Sequence, residues 1–174
     1  NLLMHSTSEN VGKWEKRWNP LKQGWVVYAA HRNTRPWTVS KNKGDIAIAP
    51  DYDPKCYLCP GNARVSGHQN PDYNDIFIFD NDHPVVGLHA PEASSLYSFE
   101  DNGLYIKAKA GGIARVVCYH PKHNITLSEA GSHTISKVLK SWQGEMRIFA
   151  QTKGIKNVLI FENKGELVGV SNPH

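Results

Sequence analysis

The chain is poor in several features that would give it a quick assignment. Cysteine is scarce: three among 174 residues. An odd, small number argues against a disulfide framework and favours reduced thiols, as in a cytoplasmic protein. Long apolar runs are missing. None approaches the ~20 residues of a membrane span, so no membrane partner is expected. The opening NLLMHSTSEN lacks the basic start and unbroken apolar stretch of a secretory signal. A strong excess of one charge is missing too. Twenty Lys and Arg stand against 16 Asp and Glu, a net charge of +4. The basic residues are scattered apart from HPKH and KNK. A nucleic-acid footprint would want a denser cationic stripe, so this balance disfavours one and suits a small anionic ligand instead. Internal repeats and low-complexity tracts are also absent.

What remains is ordinary globular material. The composition is 40% apolar and 21% charged, and the length allows a real core. Residues 1–16 read as a leader and 17–174 as one domain. GWVVYAA (24–30) is a β-like run after a turn, and HRNTRPW (31–37) is a basic loop closed by Pro36. IFIFD (76–80) and IARVVCYH (113–120) are β in composition, and GLYIKAKA (103–110) alternates. The spacing of Ile135, Val138, Leu139, Trp142, Met146 and Phe149 predicts a helix from Ser132 to about Lys153 with one apolar face, stopped by Gly154. NVLIFEN (157–163) reads as a buried strand. Strands without βαβ alternation, plus one long helix, favour an antiparallel or mixed α+β fold.

Two segments carry chemistry. The final 14 residues, FENKGELVGVSNPH, put two glycines, an Asn, a Ser and a His after an apolar run, as phosphate-holding loops do. In CYLCPGN (56–62), Cys56 and Cys59 are spaced so that both thiolates can face one centre. A structural Zn²⁺ needs four ligands, and this motif supplies two. A redox pair is the rival, but Pro60-Gly61 opposes the helix start such a pair needs. Cys118 alternates with Val116 and reads as a plain buried thiol. His123, in the loop past that strand, and His174 are open to a metal.

RWNPL, HRNTRPW, CYLCPGNARVSG, NPDY, FDND, ARVVCYHPKHN, FENKG and SNPH occur in one order along the chain. In this the sequence resembles the N-terminal half of the galactose-1-phosphate uridylyltransferase family, a branch of the histidine-triad superfamily. The resemblance implies a histidine-triad-like α+β fold: a mostly antiparallel half-barrel sheet packed by one long helix. It implies Zn²⁺ on Cys56, Cys59, His123 and His174. It gives Tyr57, Leu58, Val65 and Phe79 the apolar wall around uracil, and Asn81 and Asp82 the reading of the uridine. Asn163, Gly169 and Ser171 correspond to the phosphate loop, with Gly165 allowing close backbone approach. Arg32 and Arg35 correspond to arginines on the sugar phosphate, and the resemblance allows one of them to act across a dimer interface. The family's nucleophilic His lies two residues beyond the position of His174, so this chain is expected to stop short of it. Pro60, Val168 and Val170 depart from the family pattern.

The implied reaction moves a uridylyl group between glucose 1-phosphate and galactose 1-phosphate through a uridylyl-His intermediate. The partners would be UDP-glucose, UDP-galactose and hexose 1-phosphates, within a homodimer. Three rivals stand beside it. One is a related phosphorylase or adenylyltransferase, another a non-catalytic zinc-stabilised nucleotide-binding module, and the third a zinc-bearing nucleic-acid binder.

Overall fold

The computed structural model describes residues 14–34, 49–91 and 106–164, together with 172 and 174. The chain divides into two compact units, Asn1–Pro36 with His83–Ala114, and Trp37–Asp82 with Arg115–His174.

The first unit is built on a three-stranded antiparallel sheet, order β2-β1-β4. β1 is Trp14–Asn19, β2 is Gly24–Ala29, and β4 is Lys107–Lys109. β1 takes in Trp14, Glu15 and Lys16, three residues that the sequence reading left in the leader. Its alternation puts Trp14, Lys16 and Trp18 on one face and Glu15 and Arg17 on the other. Trp18 stands opposite Trp25, and their rings meet edge-on at 5.6 Å, a favourable cross-strand pair. On the opposite face Glu15 lies 3.6 Å from Lys107. The turn between β1 and β2 is held by Asn19, whose Oδ1 accepts from the amides of Leu21 and Lys22 at 3.1 Å each. After β2 the chain tightens into a short 3₁₀ segment, Ala30–Thr34, rather than an open loop.

The second unit carries a two-stranded antiparallel ladder and the helix. β3 (Phe77–Asp80) pairs with β5 (Arg115–Cys118), setting Phe77 opposite Cys118 and Asp80 opposite Arg115. Arg115 reaches Asp80 across the ladder and Glu145 on the helix. The helix α1 spans Ser132–Gln151, as its spacing predicts. Gly154, at φ 90°, provides the left-handed stop that other residues adopt only with strain. Its apolar stripe is covered on one flank only. Val138 is fully buried, whereas Leu139 and Met146, on the other flank, are about half exposed.

The segment 157–163 departs from expectation. It forms no strand among the described residues, and Leu159 and Phe161 are 81% and 70% exposed. A buried strand needs ladder partners as well as apolar side chains. Here the composition is present and no described backbone pairs with it.

Among the described residues the two sheets are antiparallel and one α-helix accompanies them, an α+β architecture. No described helix is long and apolar enough to cross a membrane.

Candidate metal and nucleotide site

The cysteine knuckle is a run of successive turns. The amide of Cys56 donates to Asp53 O, that of Cys59 to Cys56 O, and that of Asn62 to Cys59 O, at 3.1–3.2 Å. Gly61, at φ 73°, makes the bend that follows Pro60. Two asparagines lock the knuckle from inside. Asn62 Nδ2 donates to the carbonyls of Asp53 and Cys56. The buried Asn70 donates to those of Tyr57 and Cys59 at 3.0 Å each. The amide of Leu58 points at Cys56 Sγ, 3.3 Å away.

His123 is brought to the knuckle by the loop beyond β5. Its amide donates to Asp51 O at 2.8 Å, and its side chain is almost fully buried. His174 arrives from the far end of the chain. Its amide donates to Asn172 Oδ1 at 3.0 Å, while Asn172 Nδ2 donates to Cys56 Sγ at 3.3 Å. Cys59 Sγ lies 3.6 Å from His123 Nδ1 and 3.5 Å from His174 Nδ1. The four candidate ligand atoms, two sulfurs and two ring nitrogens, all fall within 4.8 Å of one another, a group that could hold one metal ion.

Burial acts on two members of this group, Cys59 and His174. It pushes the Cys59 thiol up to about 11, with neighbouring Cys56 adding to the shift. Burial also brings His174 down to about 4, helped by His123. Both shifts disfavour charge in the bare pocket. A bound cation would reverse the balance at the thiol, which it pairs with as a thiolate, and would keep the neutral imidazole that burial already favours. Cys118 is buried at the end of β5, as its alternation predicts, and burial pushes its thiol up to about 12. All three cysteines are free of disulfides.

The residues expected around a nucleotide begin beside the knuckle. Tyr57 and Leu58, inside it, are half-buried, and Val65 is largely exposed. Phe79, on β3, carries the Arg64 guanidinium 4.3 Å from its ring centroid. Arg64 Nε also lies 3.7 Å from Asp82 Oδ2, so Phe79, Arg64 and Asp82 form one half-buried group. Asn81 is half-buried beside it, and Asn163 is exposed. Arg32 lies in the 3₁₀ segment of the first unit. Arg35, Gly169 and Ser171 lie outside the described residues. Sequence reasoning gave no role to Arg64, Asn70, Tyr73 or Asn172. All four sit inside quoted motifs: Arg64 in CYLCPGNARVSG, Asn70 and Tyr73 in NPDY, and Asn172 in SNPH. An Asn or Tyr flanked by turn residues was the available clue.

Ladder, helix and cluster together make the second unit an α+β unit that holds a largely buried two-cysteine, two-histidine centre. The sequence profile described as "Galactose-1-phosphate uridyl transferase, N-terminal domain" matches residues 4–174, and the chain belongs to that family. It is 40% identical over 161 residues to the galactose-1-phosphate uridylyltransferase of Haemophilus influenzae, covering 91% of this chain and 44% of that protein. The Saccharomyces cerevisiae enzyme of the same name is 38% identical over 167 residues, covering 91% and 46%. A solved structure described as "Structure of uridylyltransferase" superimposes with a TM-score of 0.63 at 28% identity, covering 92% of this chain and 44% of that one. The chain thus spans less than half the length of the relatives it matches.

Proposed function

We propose that the whole protein is a UDP-glucose–hexose-1-phosphate uridylyltransferase, and that Cys56, Cys59, His123 and His174 bind one structural Zn²⁺ in it. The observation that carries the reading is the spacing in the cluster. Zinc bonds of about 2.3 Å to sulfur and 2.0 Å to nitrogen, at a tetrahedral angle, put the two atoms about 3.5 Å apart. Cys59 Sγ lies 3.5 and 3.6 Å from the two Nδ1 atoms. Soft thiolates with imidazoles are also the donor set zinc prefers. When bound, the ion supplies a fixed tetrahedral anchor.

The chain's own residues then do the positioning. His174, fixed at the centre, aims the segment in which the nucleophilic His follows two residues later in the family. Tyr57, Leu58, Val65 and Phe79 wall the base, and Asn81 and Asp82 read the uridine, with Asp82 accepting from ribose hydroxyls. Asn163 and Ser171 donate to phosphate oxygens, and Gly165 and Gly169 let backbone amides approach the anion. Arg32 and Arg35 offset charge on the transferring group. The nucleophile attacks the α-phosphorus of UDP-glucose, forming an N–P bond and releasing glucose 1-phosphate. Galactose 1-phosphate then takes the uridylyl group and frees the His, a ping-pong exchange. The two antiparallel sheets and the helix are consistent with a histidine-triad-like half-barrel. A cytoplasmic homodimer completes the proposal, and free thiols fit the compartment.

Calorimetric titration of the whole protein with UDP and with ADP tests the substrate class. UDP is expected to bind at least about tenfold tighter, since a site built to hydrogen-bond one base leaves buried groups unpaired against another. Equal affinity, or a preference for ADP, would move the assignment to an adenylyltransferase or a related phosphorylase.

A further inference from the structure

Tyr73 sits between the metal cluster and the nucleotide wall, and nothing in the reading above uses it. Its hydroxyl lies 2.6 Å from Leu58 O and 2.9 Å from His174 Nε2. Its ring stacks on Phe77, with centroids 4.9 Å apart. Phe77 stacks in turn on Phe79 at 5.3 Å, the ring that carries Arg64.

A phenol has one proton to give. Leu58 O is a carbonyl and can only accept, so the Tyr73 proton goes there. The oxygen of Tyr73 is then an acceptor toward His174, and a neutral imidazole must place its single proton on Nε2 to meet it. Nδ1 is left with a free lone pair. That is the nitrogen facing Cys59 Sγ at 3.5 Å. The Cys118 sulfur is a further neighbour of this hydroxyl, but the 2.6 Å contact to Leu58 O is the one that takes its proton.

From this geometry we infer that Tyr73 is a positioning residue: it selects the Nδ1-ligating tautomer of His174 and orients that ring for the metal. It also links the knuckle backbone, through Leu58 O, to the aromatic column leading to the nucleotide wall. The effect parallels the carboxylates and carbonyls that orient metal-bound histidines in other proteins, whose loss weakens metal affinity about 10–100-fold. The inference rests on the metal reading of the four-residue cluster.

The test is Zn²⁺ affinity, measured by chelator competition on the full chain and on Tyr73→Phe, with imidazole nitrogen NMR of His174 in both. Tyr73→Phe keeps the ring stack on Phe77 and removes only the hydroxyl. The wild type is expected to show Nδ1 bound to metal and a slowly exchanging proton on Nε2. The variant is expected to bind Zn²⁺ about 10–100-fold more weakly and to exchange that proton fast. A wild-type protein that binds Zn²⁺ through Nε2 of His174 would overturn the inference whatever the variant does. So would unchanged affinity and unchanged exchange in Tyr73→Phe. If the wild type takes up no Zn²⁺, the metal reading itself fails and the inference fails with it, a separate outcome from the other two.

Discussion

Cys59→Ser is expected to strip the bound metal and to lower the melting temperature by roughly 10 °C or more. The reason is the composition of the core. Among the described residues of the second unit, the buried apolar side chains are Cys56, Cys59, Cys118 and Val138. The buried polar ones are Asn70 and His123. Four of these six either are proposed metal ligands (Cys56, Cys59 and His123) or, in the case of Asn70, hold the ligand loop. The centre of the unit is therefore the metal cluster more than an oily core, and a metal joining distant segments contributes directly to folding. Losing a structural metal is among the few single changes that exceed about 4 kcal/mol. At this size each kcal/mol moves the midpoint by about 2–4 °C. Elemental analysis and a melting curve, on wild type and variant together, check both halves. About one Zn²⁺ per chain is expected in the wild type and almost none in the variant. A variant that kept its metal would remove Cys59 from the ligand set, and one that lost it with no change in melting would make the ion dispensable for the fold.

The second large effect is on pH. Burial pushes Cys59 up to about 11, so without a cation it is a neutral thiol throughout the neutral range. Zinc binds thiolates, so each ion must displace a proton from each of two cysteines. Two released protons make the apparent affinity fall about 100-fold for every pH unit of acidification, or about 10⁴-fold from pH 7 to pH 5. His174 has the opposite sign of shift, down to about 4. It stays neutral and ready to ligate through that window, and adds to the loss only below it. Metal-derived stability is thus present at neutral pH and lost as pH falls. Chelator competition at several pH values, corrected for the chelator's own protonation, measures the slope. A slope of one proton would mean a single thiolate ligand, and a flat profile would mean none.

Much of this was legible in the sequence, for identifiable reasons. The helix Ser132–Gln151 announced itself because its apolar residues, Ile135 to Phe149, repeat at helical period over about four turns. Its stripe, however, says nothing about how much of it finds cover, and Leu139 and Met146 stay half exposed. β1 was invisible because WEKRWN carries three charges, which pair laterally within the sheet or extend along tryptophan rings. The segment 157–163 misled in the other direction: strand-like composition does not create a ladder partner. The cysteine pair was readable from its spacing. Its two imidazole partners were not, since nothing local tells His123 or His174 from the other histidines. The family resemblance named them, and the cluster geometry brings them together. Tyr73 and Asn172 stayed hidden because their roles depend on contacts across 101 and 116 positions of chain.

The most direct measurement is zinc-edge X-ray absorption on the metal-loaded protein. Two sulfurs at about 2.3 Å and two nitrogens at about 2.0 Å are predicted around each ion. A shell with fewer than two sulfurs, or one dominated by oxygen, would contradict the account.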